Sequence, residues 1–223
     1  MKIYIIIPLY NEHRRGVKTI ERVLEVCTFP IIVVDDGSTD MSYEMLNNRY
    51  SENKRVILLR HIINLGKGAA MKTGAEMAWK MGAETIIFID ADGQHNPAHI
   101  PAFEKALQRN QIVFGFREMN SSMPRVRKWG NLLAVWIIGL LFNIKRKDLL
   151  CGYLGFRKDV YKKILWKSAR YGIETEMATK VGKNKLAFEQ IKVDTIYIDK
   201  YKGVSILDAL KILTRIPFWY FEK

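Results

Sequence analysis

Four times before residue 96, an apolar, β-branched run stops at a cluster of acids, amides or glycines. Lys2–Pro8 leads into Pro8-Leu9-Tyr10-Asn11-Glu12. Pro30–Val34 leads into Asp35-Asp36-Gly37-Ser38-Thr39-Asp40. Arg55–Arg60 is followed by Asn64-Leu65-Gly66-Lys67-Gly68. Glu84–Ile89 runs into Asp90-Ala91-Asp92-Gly93-Gln94-His95. The runs have the length and composition of buried strands. Helical patterns separate them at Arg15–Cys27, from about Asp40, and at Gly68–Met81. This alternation predicts an α/β fold, a mainly parallel Rossmann-like sheet flanked by helices with right-handed crossovers. In such a sheet the carboxyl ends of the strands are where ligands bind.

The fourth strand end carries the sharpest chemistry. Asp90 and Asp92 are separated by one small residue, Ala91. Ionised carboxylates are costly to bury unless paired or bound to a cation. Two hard oxygen donors suit Mg2+ or Mn2+, which usually arrive with substrate phosphates. An ordinary loop whose Asp residues cap the next helix fits this stretch equally well, as Asp-Gly pairs often do no more. Agreement among four strand ends is the stronger signal. Carboxylates and amides can hold a ribose or base, glycines permit close approach, and an acid pair can hold a metal on a diphosphate. Two familiar alternatives fail. No G-x-G-x-x-G follows the first strand, and Gly66-Lys67-Gly68 lacks the G-x-x-x-x-G-K-[ST] spacing of a phosphate-binding loop.

Beyond Gln111–Gly115, a further strand, the pattern changes. A loop with Pro124 precedes a long helix from Val126 to about Asn143. Gly152–Phe156 suits a short strand, Arg157–Lys167 and Glu174–Val181 look helical, and Gln190–Ile198 alternates like a strand. Ser205–Ile216 reads as a last helix closed by Pro217, before Phe218-Trp219-Tyr220-Phe221. Pro97 suits the first position of a helix. The longest apolar run, Leu132 to Phe142, spans eleven residues, where a bilayer span needs about 18. No transmembrane helix and no signal peptide is expected. Cys27 and Cys151 are the only cysteines, too few for a disulfide scaffold or a cysteine zinc site, which makes a reduced cytosolic setting the default.

The net charge of +13 is unevenly placed. Residues 117–170 hold 13 Lys and Arg against 3 Asp and Glu, so the middle of the chain carries most of the excess. Such a block attracts nucleic acid, anionic headgroups or phosphorylated substrates. A solvated basic face with no specific partner is the plain alternative. Here the block surrounds the most apolar helix, which favours an anionic membrane surface over nucleic acid. That helix suits a core position on part of its surface and a headgroup interface on the rest. The closing aromatics suit a membrane interface or a docked tail.

Together the four motifs resemble family 2 glycosyltransferases with the GT-A fold. Arg117, Arg127-Lys128-Trp129-Gly130-Asn131 and Asp148 through Gly152 are similar to the branch that includes dolichol-phosphate mannose synthase and bacterial polyprenyl-phosphate glycosyltransferases. The resemblance spans roughly residues 3–215. It implies that residues 1–200 form the GT-A domain, with 1–116 the nucleotide-sugar half and 117–200 the acceptor half. Residues 201–223 would form a C-terminal amphipathic helix and aromatic tail. It implies that Pro8, Tyr10, Asn11, Glu12, Asp35 and Asp36 line the nucleoside pocket, with Lys67, Asp90, Ala91 and Asp92 completing the nucleotide-sugar site. Asp90, Asp92 and Gln94 would hold the metal, Mg2+ or Mn2+. Arg117, Arg127 and Lys202 would face the acceptor phosphate, and Asp92, Arg117 and Arg127 would carry catalysis.

The implied reaction is inverting transfer of a hexose, mannose or glucose, from a GDP- or UDP-linked donor to a polyprenyl or dolichyl phosphate. A phosphate monoester is already anionic at neutral pH, its second pKa being near ~6. It needs guanidinium groups to hold it in line rather than a base. Glu174 and Glu176 are therefore read as structural or orienting. Transfer to a sugar hydroxyl is the nearest rival and would need a base. A basic nucleic-acid-binding protein is a more distant rival, and it offers no reason for the strand-end motifs. Leu154 stands where many of the branch carry Arg or Lys. The expected location is the cytoplasmic face of a membrane. There the protein would act peripherally, with a separate anchor subunit, or with a C-terminal membrane region that has been removed.

Overall fold

A computed structural model describes residues 1–118, 125–170, 172–194 and 206–221, with the backbone alone at 125–128 and 206–213. Three strands, β1 (Ile3–Leu9), β2 (Ile31–Asp35) and β3 (Val56–Arg60), pair in parallel, β1 with β2 and β2 with β3. β4 (Thr85–Phe88) pairs in parallel with the other side of β1, Ile3 opposite Thr85 and Ile6 opposite Phe88. The chain thus builds outward from β1, then returns across it. The direction of building reverses between β1 and β4, the place at which open α/β sheets form their ligand crevice. Pro8–Glu12 and Asp90–Gln94 lie at the carboxyl ends of those two strands.

The apolar runs are continuous because both faces of the sheet are covered. On one face Tyr4, Ile6, Ile32, Val34, Ile86 and Phe88 meet α3 (Lys67–Lys80), α5 (Arg125–Phe142), α7 (Ile173–Lys183) and α8 (Ile206–Phe221). On the other, Ile3, Ile5, Ile7, Ile31, Val33 and Ile87 meet α1 (His13–Val26), α2 (Ser42–Tyr50) and α4 (Ile100–Leu107). α3 comes close because its inner side is small. A Cβ at Gly74 would lie 2.5 Å from Ile6 Cγ2. Asn96 caps the 3-10 turn Pro97–His99 ahead of α4, and Pro97 takes the first position of that turn, a helix start as expected.

The second half of the sheet departs from parallel. β6 (Leu154–Arg157) is antiparallel to both β4 and β5 (Ile112–Phe116), and β5 pairs in parallel with β7 (Glu189–Lys192). The full order is β3-β2-β1-β4-β6-β5-β7. Strand direction leaves no mark on a local pattern, so β6 read only as a short strand.

Three expected elements differ in extent. The helix expected over Arg157–Lys167 is reduced to the turn Lys158–Val160 and α6 (Tyr161–Ile164). Leu165 is extended, at φ −56° and ψ 118°. That bend lets Trp166 reach the core, edge-on to Phe88, with its Nε1 donating to Gly68 O at 2.9 Å. Burial of one large aromatic outweighs three further residues of helix. β7 starts at Glu189 and stops at Lys192, the third residue of the expected strand run, and residues 195–198 of that run lie outside the described residues. Pro217 does not close the last helix, for α8 continues to Phe221. Proline lacks an N–H and normally ends a helix. Here Ile216 and Trp219 are buried on either side of it, and Lys183 Nζ donates to the carbonyls of Trp219 and Tyr220 at 3.1 and 3.2 Å.

Candidate active site

The loops after β1 and β2 are tied to one another. Asn11, at φ 51°, donates its backbone N–H to Ser38 Oγ at 2.9 Å and accepts from Thr39 N at 2.9 Å. Glu12 N donates to Ser42 Oγ at 3.1 Å. Asparagine tolerates the left-handed conformation that this crossover requires. Pro8 is buried in β1, Glu12 is half-buried near Arg15, and the Tyr10 ring is exposed at the crevice.

The adjacent acids Asp35 and Asp36 do different work. Asp36 spends both oxygens on the third loop. Oδ1 accepts from Leu65 N at 3.0 Å and faces His61 Nδ1 at 2.7 Å, while Oδ2 accepts from Gly66 N at 2.7 Å. His61 is fixed in turn by Thr73 at 2.9 Å. Asp36 is thus a loop clamp. Asp35 is almost fully buried with weaker partners, Ser38 N at 3.4 Å and Arg60 Nε at 3.4 Å. Burial pushes its carboxyl above the usual carboxylate range. Of the two, Asp35 retains acceptor capacity.

The β4 end holds the acid pair. Asp90 N donates to His95 Nδ1 at 3.3 Å, and Gln94 N donates to Asp92 Oδ1 at 2.9 Å. Gly93, at φ 75°, makes the tight turn between them. Ala91 is buried beneath, with its carbonyl accepting from Thr19 Oγ1 at 3.3 Å. Lys67 Nζ lies 2.7 Å from Asp90 Oδ1 and 2.9 Å from Glu174 Oε1. Burial opposes the charge of Asp90, but Lys67 outweighs it and holds the carboxyl below the usual range. Asp92 goes the other way, raised first by burial and then by the charge of Asp90. His95 is buried against Tyr153 and its pKa is lowered by that burial, which makes it a neutral brace under the loop.

Arg117, beyond β5, is held by Asp148. Arg117 Nε donates to Asp148 Oδ2 at 2.7 Å and Nη2 to Oδ1 at 3.1 Å, a bidentate pair. Asn131 on α5 donates to Asp148 Oδ1 at 3.1 Å and accepts from Leu149 N at 3.2 Å. Arg146 stacks 3.6 Å over the Phe114 ring and is lowered to about 10 by burial. Arg117 is near enough to the acid pair to help lower Asp90. Glu176 accepts from Lys167 N and Ser168 N at 2.7 and 2.9 Å and pairs with Lys180 at 3.0 Å. Both Glu174 and Glu176 are therefore engaged in orienting contacts.

The structure brings Asp90, Asp92, Lys67 and Arg117 to one region and sets Pro8, Tyr10, Asn11, Glu12, Asp35 and Asp36 along the same edge. Gln94 is half-buried beside Asp92. Arg127 lies in the first turns of α5, where side chains are not described, and Lys202 lies outside the described residues. The bracing residues His61, His95, Asn131 and Arg146 were not expected. His95 and Asn131 stood inside quoted motifs without an assigned role, while His61 and Arg146 lay outside them, and polar braces reveal themselves through partners distant in the chain.

The family model for glycosyl transferase family 2 matches residues 4–165. The chain belongs to this family and is a glycosyltransferase. It is 31% identical over 237 residues to the UDP-N-acetylglucosamine–dolichyl-phosphate N-acetylglucosaminyltransferase of Methanococcus voltae, covering 96% of this chain and 94% of that protein. It is 25% identical over 213 residues to the undecaprenyl-phosphate mannosyltransferase of Micrococcus luteus, covering 92% and 87%. Within the family the chain is thus similar to the polyprenyl-phosphate branch. The crystal structure of glucosyl-3-phosphoglycerate synthase from Mycobacterium tuberculosis, in complex with Mn2+, uridine diphosphate and phosphoglyceric acid, superposes with a TM-score of 0.76. It covers 100% of this chain and 79% of that one at 16% identity. That likeness is one of fold, and the fold is GT-A. The expected family and fold are both borne out.

The Asp148 clamp makes a testable statement about stability. Burial opposes the Asp148 charge, but Arg117 and the backbone donors outweigh it, so its folded pKa lies below the usual value. Its contribution is then fully present above the unfolded pKa of about 3.9 and is lost as pH falls through the lower folded value. Asp148→Asn should cost about 3–5 kcal/mol at pH 7 in urea denaturation, as breaking a buried pair does. The gap to wild type should narrow below about pH 4. A gap that does not change with pH would contradict the clamp.

Proposed function

We propose that this glycosyltransferase moves a sugar from a nucleoside diphosphate sugar to a polyprenyl phosphate at a membrane surface, with inversion. The observation that carries the reading is the acceptor side. Arg117 is held bidentate by Asp148 and its charge helps to lower Asp90, while Glu174 and Glu176 are both occupied. A fixed guanidinium, with Glu174 and Glu176 both engaged among the described residues, suits an acceptor that is already anionic, as a phosphate monoester is. The names of the relatives from Methanococcus voltae and Micrococcus luteus, both polyprenyl-phosphate transferases, support it.

Asp90, Asp92 and Gln94 would hold a divalent cation, Mg2+ or Mn2+. The residues fit one, for Asp92 is raised by burial and by its neighbour's charge, and a cation relieves both. Among the described residues no group of three or more acids, histidines or cysteines forms a metal cluster. A two-carboxylate set is what such ions use when phosphates and water complete the shell. The cation supplies Lewis-acid stabilisation to the departing diphosphate. The chain's own residues do the rest. Asp35 and the loops around Asn11 would receive the nucleoside. Arg117, with Arg127 and Lys202 as further candidates, would hold the acceptor phosphate oxygen in line with the anomeric carbon.

The membrane reading rests on two helices that pack together. α5 exposes Trp129, Leu132, Leu133, Trp136 and Leu140 along one side, with Trp136 64% and Leu140 70% exposed. α8 adds Phe218, Tyr220 and Phe221, and Lys145 and Lys147 are exposed at the end of α5. An apolar band of this size with a basic edge fits anionic headgroups. No helix among the described residues is long and apolar enough to cross a membrane.

Incubation with undecaprenyl or dolichyl phosphate, Mn2+ and labelled UDP-N-acetylglucosamine, UDP-glucose or GDP-mannose should give a glycosylated lipid from at least one donor. No product from any donor, with nucleotide binding intact, would overturn the acceptor assignment. Asp92→Ala should lower turnover at least ~100-fold while the fold persists. Trp136→Glu should weaken sedimentation with vesicles containing an anionic phospholipid by about tenfold or more, since burial of a large aromatic is worth about 1.5–3 kcal/mol. Unchanged sedimentation would remove α5 from the interface.

A further inference from the structure

The acid pair already has a cation beside it, and that cation belongs to the chain. Lys67 Nζ bridges Asp90 Oδ1 at 2.7 Å and Glu174 Oε1 at 2.9 Å. Gly152 leaves the room for this bridge. A Cβ there would lie 2.6 Å from both Asp90 Oδ2 and Lys67 Nζ. The start of α3 is pinned, because Gly68 N donates to Ala169 O at 2.7 Å and Gly68 O accepts from Trp166 Nε1 at 2.9 Å. The Lys67 backbone is therefore fixed, and only its flexible side chain can shift. Among the described residues Asp92, two residues away, makes no ion pair; its Oδ1 accepts from Gln94 N at 2.9 Å.

We propose that Lys67 is a resident counter-ion that keeps a free divalent cation off Asp90 and releases that carboxylate when the cation arrives with a diphosphate. The proposal rests on Asp90 and Asp92 being the cation's ligands. An ammonium and a divalent ion repel one another when both lean on one carboxylate, so the free ion competes poorly. A diphosphate changes the balance by bringing negative charge to both. The ion gains phosphate oxygens, and Lys67 can keep Glu174 while turning an N–H toward the diphosphate. Glu174 is thus the anchor that holds Lys67 in the site through the exchange, which gives this acid a role other than that of a base. Cation and nucleotide affinities are then coupled, and the coupling is reciprocal.

Mn2+ titration followed by electron paramagnetic resonance, with and without UDP or GDP, reads this directly. For wild type we expect weak Mn2+ binding alone and binding tightened roughly 100-fold by the diphosphate that fits, at the upper end of ordinary coupling. Lys67→Met should tighten binding of Mn2+ alone by at least ~10-fold and reduce the coupling below ~10-fold. Lys67→Arg, which keeps the charge, should restore the block and controls for folding. Glu174→Gln leaves Lys67 on Asp90, so Mn2+ alone should bind no tighter than to wild type. Equal or weaker binding of Mn2+ alone to Lys67→Met would overturn the counter-ion role. A wild type that binds nucleotide but no Mn2+ in its presence would instead overturn the cation assignment beneath it.

Discussion

Carboxylates buried at one edge of a sheet must each find a partner, and nearly every loop of this protein is arranged by that requirement. Asp36 is met by two backbone N–H groups and His61, Asp148 by Arg117 and Asn131, and Glu176 by two N–H groups and Lys180. These satisfied acids set the positions of the loops. Asp35 and Asp92 are the exceptions. Both are raised above the ordinary range, first by burial, and both lie at the carboxyl ends of strands, Asp35 at β2 and Asp92 after β4. Charge left under-compensated at a ligand-binding edge is where a site is to be sought.

Much of the first half of the chain was legible because its signals are local. Strands β1 to β4 are continuous β-branched runs, and each ends in residues with recognisable turn or ligand chemistry. The crevice follows from topology once those runs are parallel. The second half was less legible because its order is made by distant partners. Trp166 ends a helix early by entering the core. Ile216 and Trp219 carry α8 through Pro217. The antiparallel direction of β6 is set by β4 and β5 and by nothing in Leu154–Arg157 itself. The Asp35-Asp36 pair shows the same divide. The two residues look alike in the sequence, yet one clamps a loop and the other retains acceptor capacity.

The second half also joins the Arg117 clamp to the surface. Asn131 sits on α5, the helix whose outer side exposes Trp129, Trp136 and Leu140, and it bonds the carboxylate that holds Arg117. One helix therefore carries both the apolar band and part of the brace behind the guanidinium. This arrangement fits a glycosyltransferase whose acceptor is membrane-bound, and it explains why the basic excess and the most apolar helix lie in the same stretch of chain.

The central claim is that the β1–β4 crevice receives a cation and a diphosphate on Asp90 and Asp92. A crystal structure with Mn2+ and the nucleoside diphosphate, using anomalous scattering at the manganese edge, tests it most directly. The account predicts one strong peak within about 2.0–2.3 Å of carboxylate oxygens of Asp92 and Asp90, bridged to diphosphate density. A peak held by other residues, or a diphosphate lying away from this acid pair, would contradict it.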